Sequence, residues 1–401
     1  MSHLIHSEIK IQELSLHQGD KSPCKIFGQA ATLVNFERFK RIWRNCRDDF
    51  SLLLFLAGSL TAEVDGISEA GATPESRRYT ALADAELLLI GPKSKPKFHL
   101  PPLIAGVSPA LISYVASRFI GVKPLVAAAG LFQMPDFPCL MVESENNGPA
   151  QCISTGKAMD SQRVQYLWGR GLQIGLKLTK PLLLAECVPG GTTTAQAVMT
   201  GMGMSVNNLI SGSSKNLPVQ IKTDLVNKAL RTAGIVCEHS PEKLLSAVGD
   251  PFQAFAVGLI LGARKAGQPV LLGGGSQMLA VISLALASID NSLRSEFVSD
   301  IAIGTTSWLL EETSYKSDSQ SSFASLINVV EDFFDVGILG MATGLSFEGS
   351  PFKELSDYEC GYIKEGVGAG ALALIAQMNG ISCTQIRHGC ELALEDLKLT
   401  K

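Results

Sequence analysis

Short apolar runs, each closed by glycine or proline and followed by helical periodicity, recur along most of the chain. Residues 50–60 (FSLLLFLAGSL), 87–91 (LLLIG), 123–130 (KPLVAAAG) and 181–187 (PLLLAEC) begin the series, and 269–272, 301–304 and 336–339 continue it. Runs of this kind read as strands without a polar face. Helical patterns occupy 162–178, 217–233, 241–248, 252–267 and 276–289. The apolar run 102–106 precedes Ser108-Pro109, a cap and first-turn pair that opens one more helix to about residue 120. Strands alternating with helices predict βαβ units and a mainly parallel sheet. The expected fold is α/β, a three-layer α/β/α arrangement around a Rossmann-like sheet.

Two segments fall outside this alternation. Residues 1–45 and 385–401 read as helices that pack together as a smaller helical subdomain, leaving 46–384 as the large catalytic domain. The stretch 314–322 (SYKSDSQSS) is the most loop-like, and no internal repeat is visible. Residues 270–289 carry no charge over 20 positions, the length of a membrane span. Gly273, Gly274, Gly275, Ser276 and Gln277 interrupt them, so a buried strand, a tight turn and a buried helix are expected instead, with no membrane span.

Composition agrees with a doubly covered sheet: 46% of residues are hydrophobic, only 18% are charged, and 38 are glycine. Such a chain has neither the low hydrophobicity nor the high charge of a disordered one. A net charge of −4 speaks against a nucleic-acid binder, which carries a basic stripe. It leaves room for a phosphate held by backbone N–H groups. Nine cysteines without a Cys-x-x-Cys pair predict reduced thiols and a cytoplasmic protein. Cys383, His388 and Cys390 form an incomplete ligand set, so no metal site is expected. Charges and histidines throughout residues 1–20 speak against a signal peptide.

The richest chemistry lies in 181–203 (PLLLAECVPGGTTTAQAVMTGMG), where a strand ends in Gly190 and Gly191 and three threonines, Thr192, Thr193 and Thr194, open a helix. Ligands of open α/β sheets collect at the carboxyl ends of strands, and an open helix N-terminus favours an anion. A helix cap needs one hydroxyl, and two glycines before three threonines exceed that requirement. Glu186, just before the turn, is placed to meet a ribose or a base. Gly212, Ser213 and Ser214, with Lys222 in the helical pattern that follows, form a second group of donors or an ordinary loop. The turn at Gly274, Gly275 and Ser276 either approaches a ligand or makes a tight bend. Glu365 is a lone carboxylate followed by Gly366, Gly368 and Gly370 and then an apolar helix. It is either a surface residue favoured by the helix dipole or a general base in an apolar pocket, and pattern alone leaves both open. No P-loop, Rossmann fingerprint, nucleophile elbow or His-Glu-x-x-His motif occurs.

Together these motifs resemble the nicotinate-nucleotide:dimethylbenzimidazole phosphoribosyltransferases, in particular a divergent cyanobacterial and archaeal branch. The family's Gly-Glu-Met-Gly-Ile-Gly-Asn-Thr-Thr stands here as Ala185-Glu186-Cys187-Val188-Pro189-Gly190-Gly191-Thr192-Thr193, and its Gly-Glu-Gly-Thr-Gly-Ala as Lys364-Glu365-Gly366-Val367-Gly368-Ala369. Lys157-Ala158-Met159-Asp160 echoes its Pro-Ala-Met-Thr helix start, while its N-terminal Ala-Gly-Asp-His-Gly-Val survives only as Ala57-Gly58-Ser59. The resemblance implies phosphoribosyl transfer from nicotinate mononucleotide to an azole or purine base, in assembly of the cobalamin lower-ligand nucleotide. It implies Glu365 as general base, the glycine–threonine turn as phosphate site, no cofactor and a homodimer. Two alternatives stay open: an enzyme that processes another base such as adenine, and a non-catalytic nucleotide-binding protein.

Overall fold

The computed structural model describes residues 10–16, 22–44, 49–68, 70–236, 239–314 and 317–400. Nine strands form the main sheet: β1 (Gln12–Leu14), β2 (Cys24–Phe27), β3 (Ser51–Ala57), β4 (Leu125–Ala129), β5 (Leu140–Met141), β6 (Leu182–Cys187), β7 (Val270–Gly273), β8 (Ile301–Thr305) and β11 (Leu339–Ala342). A separate ribbon pairs β9 (Thr313–Ser314) with β10 (Ser317–Ser321). The sheet order is β1-β2-β11-β8-β7-β6-β3-β4-β5. Every pairing from β11 to β5 is parallel, and the two that add β2 and β1 at the edge are antiparallel. From β3 the chain winds outward through β4 and β5, then returns to β6 on the other side of β3 and winds the opposite way. The β3/β6 junction is therefore the sheet's switch point, where a crevice opens beyond the carboxyl ends of the strands.

Strand side chains alternate between two buried cores, as a period of two requires. Leu53 and Phe55 of β3 face one core with Phe252, Phe255 and Leu279, while Leu52, Leu54 and Leu56 face the other with Leu82, Leu111 and Leu372. Helices Ser161–Gly175, Gly191–Gly201, Pro251–Lys265 and Ser276–Ala287 cover the first face. Helices Leu33–Trp43, Thr80–Ile90, Ala110–Ile120, Ala369–Met378 and Cys383–Leu399 cover the second. The three-layer α/β/α reading holds, and the run 270–289 is indeed a strand, a turn and a helix. Among the described residues no helix is long and apolar enough to cross a membrane.

Several local expectations are corrected. Residues 87–91 are the end of helix Thr80–Ile90, which is apolar nearly all round. A short apolar run cannot distinguish a strand from one turn of a buried helix. The first 45 residues were expected to lie outside the sheet, yet they supply β1 and β2 to its edge, and residues 1–9 lie outside the described ones. The strand expected at 336–339 lies at Leu339–Ala342, and part of the loop-like stretch 314–322 pairs as β10.

Helices Ser161–Gly175 and Pro251–Lys265 touch backbone to backbone. A Cβ at Gly171 would fall 2.1 Å from the Phe255 carbonyl oxygen, and one at Gly258 would fall 2.0 Å from that of Trp168. Helix Pro251–Lys265 starts at Asp250, which forms a capping box with Gln253 and lies beneath the turn after β6.

Candidate active site

The turn after β6 has the geometry of an anion cradle. Gly190 takes φ +81, and a Cβ there would lie 3.0 Å from the Ala62 amide nitrogen. Helix Gly191–Gly201 begins with no side-chain cap. The Gly191 and Thr193 amides donate to the Val188 and Gly190 carbonyls at 2.8 and 3.0 Å, whereas the Thr192 amide finds no acceptor among the described residues. Lys222 Nζ donates to Thr192 Oγ1 at 2.9 Å and to the Ser211 carbonyl at 3.1 Å. Burial lowers the Lys222 pKa to about 8, opposed by Glu312 and assisted by Lys364. Thr194 points behind the turn, donating to Asp250 Oδ2 at 2.5 Å, and Thr193 Oγ1 is buried without a partner. Asp250 also accepts from Gln277 Nε2 at 2.8 Å, so its carboxylate supports the cradle from inside the fold.

Glu365 stands on a strained turn. Ile363, Lys364 and Val367 all have positive φ, at 65°, 65° and 54°. Two of the three are β-branched, and such conformations cost on the order of 1–3 kcal/mol each. The carboxylate is fixed by four donors. Gly366 N and Gly370 N reach Oε1 at 3.0 and 3.2 Å, and Thr305 Oγ1 and Thr306 N reach Oε2 at 3.1 and 2.9 Å. Burial still outweighs these bonds and lifts its pKa to about 7. Burial likewise lifts Glu186 to about 8, with further upward pressure from Asp250 and from Glu365. Burial thus holds both carboxyls protonated well above the usual carboxylate range.

This pair gives stability a definite pH dependence. Both groups start from 4.5, and the fold favours their neutral forms. The unfolded chain ionises first as pH rises, so their contribution is intact below about pH 4.5 and is lost as pH climbs through 7 to 8. Replacing Glu186 with Gln is expected to flatten the fall in urea midpoint between pH 5 and 8.5 relative to the wild type. Parallel pH curves for the two proteins would contradict the assignment.

One cavity of about 420 Å³ receives both features. Gly190, Gly191, Thr192, Gly212, Ser213, Ser214 and Lys222 line one end, and Glu186, Glu365 and Gly366 line its floor. Leu100, Leu103, Val107, Leu394 and Leu397 supply an apolar wall, and Thr80 and Asp84 also line the cavity. Burial raises the Asp84 pKa to about 6 against hydrogen bonds from Ser108 and Cys187. The structure thus brings together most of the residues singled out in the sequence. It leaves out the third junction: Gly274, Gly275 and Ser276 do not line the cavity, and Gly275 packs where a Cβ would lie 2.8 Å from Leu309. Gly368 also sits outside, closing on Ala185, and Thr193 and Thr194, expected in the phosphate site, are buried behind the turn and do not line the cavity. Asp84, Asp250 and the wall from the last helix escaped the sequence reading. Only Asp250 had a local signal, the Asp-x-x-Gln capping box with a first-turn proline.

A phosphoribosyltransferase family model matches residues 110–298. A UPF0284 protein of Prochlorococcus marinus (strain MIT 9313) is 55% identical over 374 residues, covering 93% of each chain. Another, from Parasynechococcus marenigrum (strain WH8102), is 49% identical over 374 residues, covering 93% of this chain and 94% of that one. The chain belongs to the UPF0284 family of proteins. Solved structures share its fold. CobT from Thermus thermophilus superposes with a TM-score of 0.51 at 14% identity, covering 82% of this chain and 83% of that one. A structure titled as the nicotinate-nucleotide-dimethylbenzimidazole phosphoribosyltransferase of the same organism gives 0.52 at 14% identity, covering 86% and 82%. The family model spans the Gly190 turn and Lys222, while Glu365 lies beyond it.

Proposed function

We propose that the protein transfers the phosphoribosyl group of nicotinate mononucleotide to a ring nitrogen of an azole base and releases nicotinate, in assembly of the cobalamin lower-ligand nucleotide. The observation that carries this reading is the opening of the anion cradle and of the buried Glu365 carboxyl onto one cavity at the switch point of the sheet. The donor's phosphate is assigned to the Gly190, Gly191 and Thr192 turn with Lys222, and its ribose to Glu186. The base lies against the apolar wall of Leu103, Leu394 and Leu397.

The azole nitrogen attacks the anomeric carbon from the face opposite the pyridinium. The new C–N bond forms as the old one breaks, and its electron pair returns to the pyridine nitrogen of nicotinate. The azole N–H proton passes to Glu365, which is ionised in half or more of molecules from about pH 7 upward. A cationic leaving group makes the donor reactive already, so placement of both substrates in one closed site supplies much of the rate. A purine such as adenine is the second reading for the acceptor, favoured by Asp84 and Thr80, which offer polar partners to an extra N–H at the apolar wall. A cytoplasmic homodimer completes the proposal. The family likeness supports the homodimer, and the free thiols of Cys139, Cys152, Cys187, Cys360 and Cys390 agree with a reducing compartment.

The test is incubation with nicotinate mononucleotide and a panel of azoles and purines, with nicotinate followed by chromatography. Base-dependent nicotinate release is expected. Tight nucleotide binding with no release from any base would point to a non-catalytic protein instead.

A further inference from the structure

Lys364 immediately precedes Glu365, yet its side chain does not line the cavity. Its Nζ donates to Glu312 Oε1 at 2.6 Å and to the Ser214 carbonyl at 3.0 Å. The two side chains of this ion pair are 3% and 11% exposed. A buried pair is weak evidence for stability, and holding one particular geometry is its better-attested use. Here the geometry concerns two loops. The Ile363 amide donates to the Ser213 carbonyl at 2.8 Å, so two bonds fasten the Glu365 turn to loop 212–214. Lys222 holds the residue before this loop, donating to the Ser211 carbonyl, and its second acceptor is Thr192. Thr192, Lys222, the 211–214 loop, Lys364 and Glu365 therefore form one continuous series of contacts. It runs from the anion cradle to the carboxylate. Glu312 stands between the two lysines electrically as well, since it raises the Lys222 pKa while Lys364 lowers it.

The turn at the far end needs such a fastening. Ile363, Lys364 and Val367 are held at positive φ, where side-chain-bearing residues persist only when their surroundings over-determine them. Thr306 Oγ1 donates to the Lys364 carbonyl at 2.6 Å while the Thr306 amide donates to Glu365, so a shift at Lys364 displaces the carboxylate directly.

We propose that Lys364, held by Glu312, is a positioning residue that couples occupation of the anion cradle to the placement of Glu365. This rests on the assignment of the cradle and Glu365 to one reaction. A phosphate on Thr192 and Lys222 stiffens loop 212–214, and Lys364 passes that constraint to the turn. Remote binding energy from the donor's phosphate is then used to orient the reacting end.

The experiment uses the full chain with inorganic phosphate as probe, and amide hydrogen exchange at Gly366 and Gly370 as readout. In the wild type, phosphate is expected to slow exchange at both amides roughly tenfold. In Lys364→Met phosphate still binds by calorimetry, and the protection disappears; Lys364→Arg retains it. Lys364→Gly, which suits the left-handed backbone, behaves like Lys364→Met and separates loss of the tether from release of strain. It also serves should the methionine variant fail to fold. In turnover with nicotinate mononucleotide, Lys364→Met is expected to lose about 10–100-fold in kcat with KM changed by less than about threefold. Equal protection in the wild type and Lys364→Met, or no protection in the wild type, overturns the coupling. A wild type that releases no nicotinate overturns the proposed reaction instead, and the exchange measurement still decides the coupling.

Discussion

Replacing Glu365 with Gln lowers kcat by about 10²–10⁴ and leaves the affinity for nicotinate mononucleotide nearly unchanged, as expected for loss of a general base. The reason is in the four donors around the carboxylate. Thr305, Thr306, Gly366 and Gly370 all present N–H or O–H groups to it, so the site is built for an acceptor on both oxygens. A glutamine amide can accept on one oxygen only, and its NH₂ meets donors. The variant therefore loses both the proton acceptor and part of the carboxylate's placement, while the cradle residues stay intact. The pH profile supplies the second half of the test. With a pKa of about 7, the rising limb of wild-type kcat/KM lies below about pH 8, where Lys222 begins to lose its charge. Glu365→Gln removes that limb. Steady-state rates across pH 5.5–9, with donor affinity measured separately by calorimetry, decide the matter. A variant that turns over at near the wild-type rate, or keeps the limb, removes Glu365 from the role.

Replacing Lys222 with Met acts on the other end of the cavity. A hydrogen bond to a charged group contributes about 1.5–3 kcal/mol, which corresponds to roughly 10–150-fold in affinity. Inorganic phosphate and the nucleotide donor are both expected to bind that much more weakly, and kcat falls as well, as in Lys364→Met, because the link from Thr192 to the Ser211 carbonyl is lost. The ligand-free variant should be no less stable, because methionine fills similar space without the cost of desolvating an ammonium. That cost is visible in the wild type, whose lysine is pushed down to about 8. Phosphate affinity should therefore fall as pH rises past about 8 in the wild type and be flatter in the variant. Unchanged phosphate affinity in Lys222→Met would move the anion site elsewhere.

Much of this architecture could be read in the chain because doubly buried strands leave an unmistakable mark. β3, β4, β6, β7 and β8 are apolar on both faces and end at glycine, proline or a helix start, so the runs at 50–60, 123–130, 181–187, 269–272 and 301–304 found them. Helix Thr80–Ile90 hid for the same reason: its apolar third turn has no periodicity to set it apart from a strand. β1 and β2, the two outermost strands on one side of the sheet, have three and four residues, too short to carry an alternation. The two ends of the cavity differ in the same way. The anion cradle and Glu365 are local devices, each written within a few consecutive residues. The apolar wall is gathered from the 100–107 segment and from a helix nearly 300 residues later, and no local pattern marks it. Asp84 belongs with that wall, a carboxyl inside a helix whose meaning depends on Ser108 and Cys187 arriving from elsewhere.

The backbone contact of Gly171 and Gly258 leads to a division of evolutionary freedom. Helices that meet through main-chain atoms have no side chains to repack, so the layer behind the cradle admits few substitutions. The apolar wall is made of leucines from two distant segments, which can be exchanged for other apolar residues without disturbing the main chain. A lineage of such proteins can drift in the acceptor it accommodates, through changes at Leu103, Leu394 or Leu397, while its handling of the donor stays fixed.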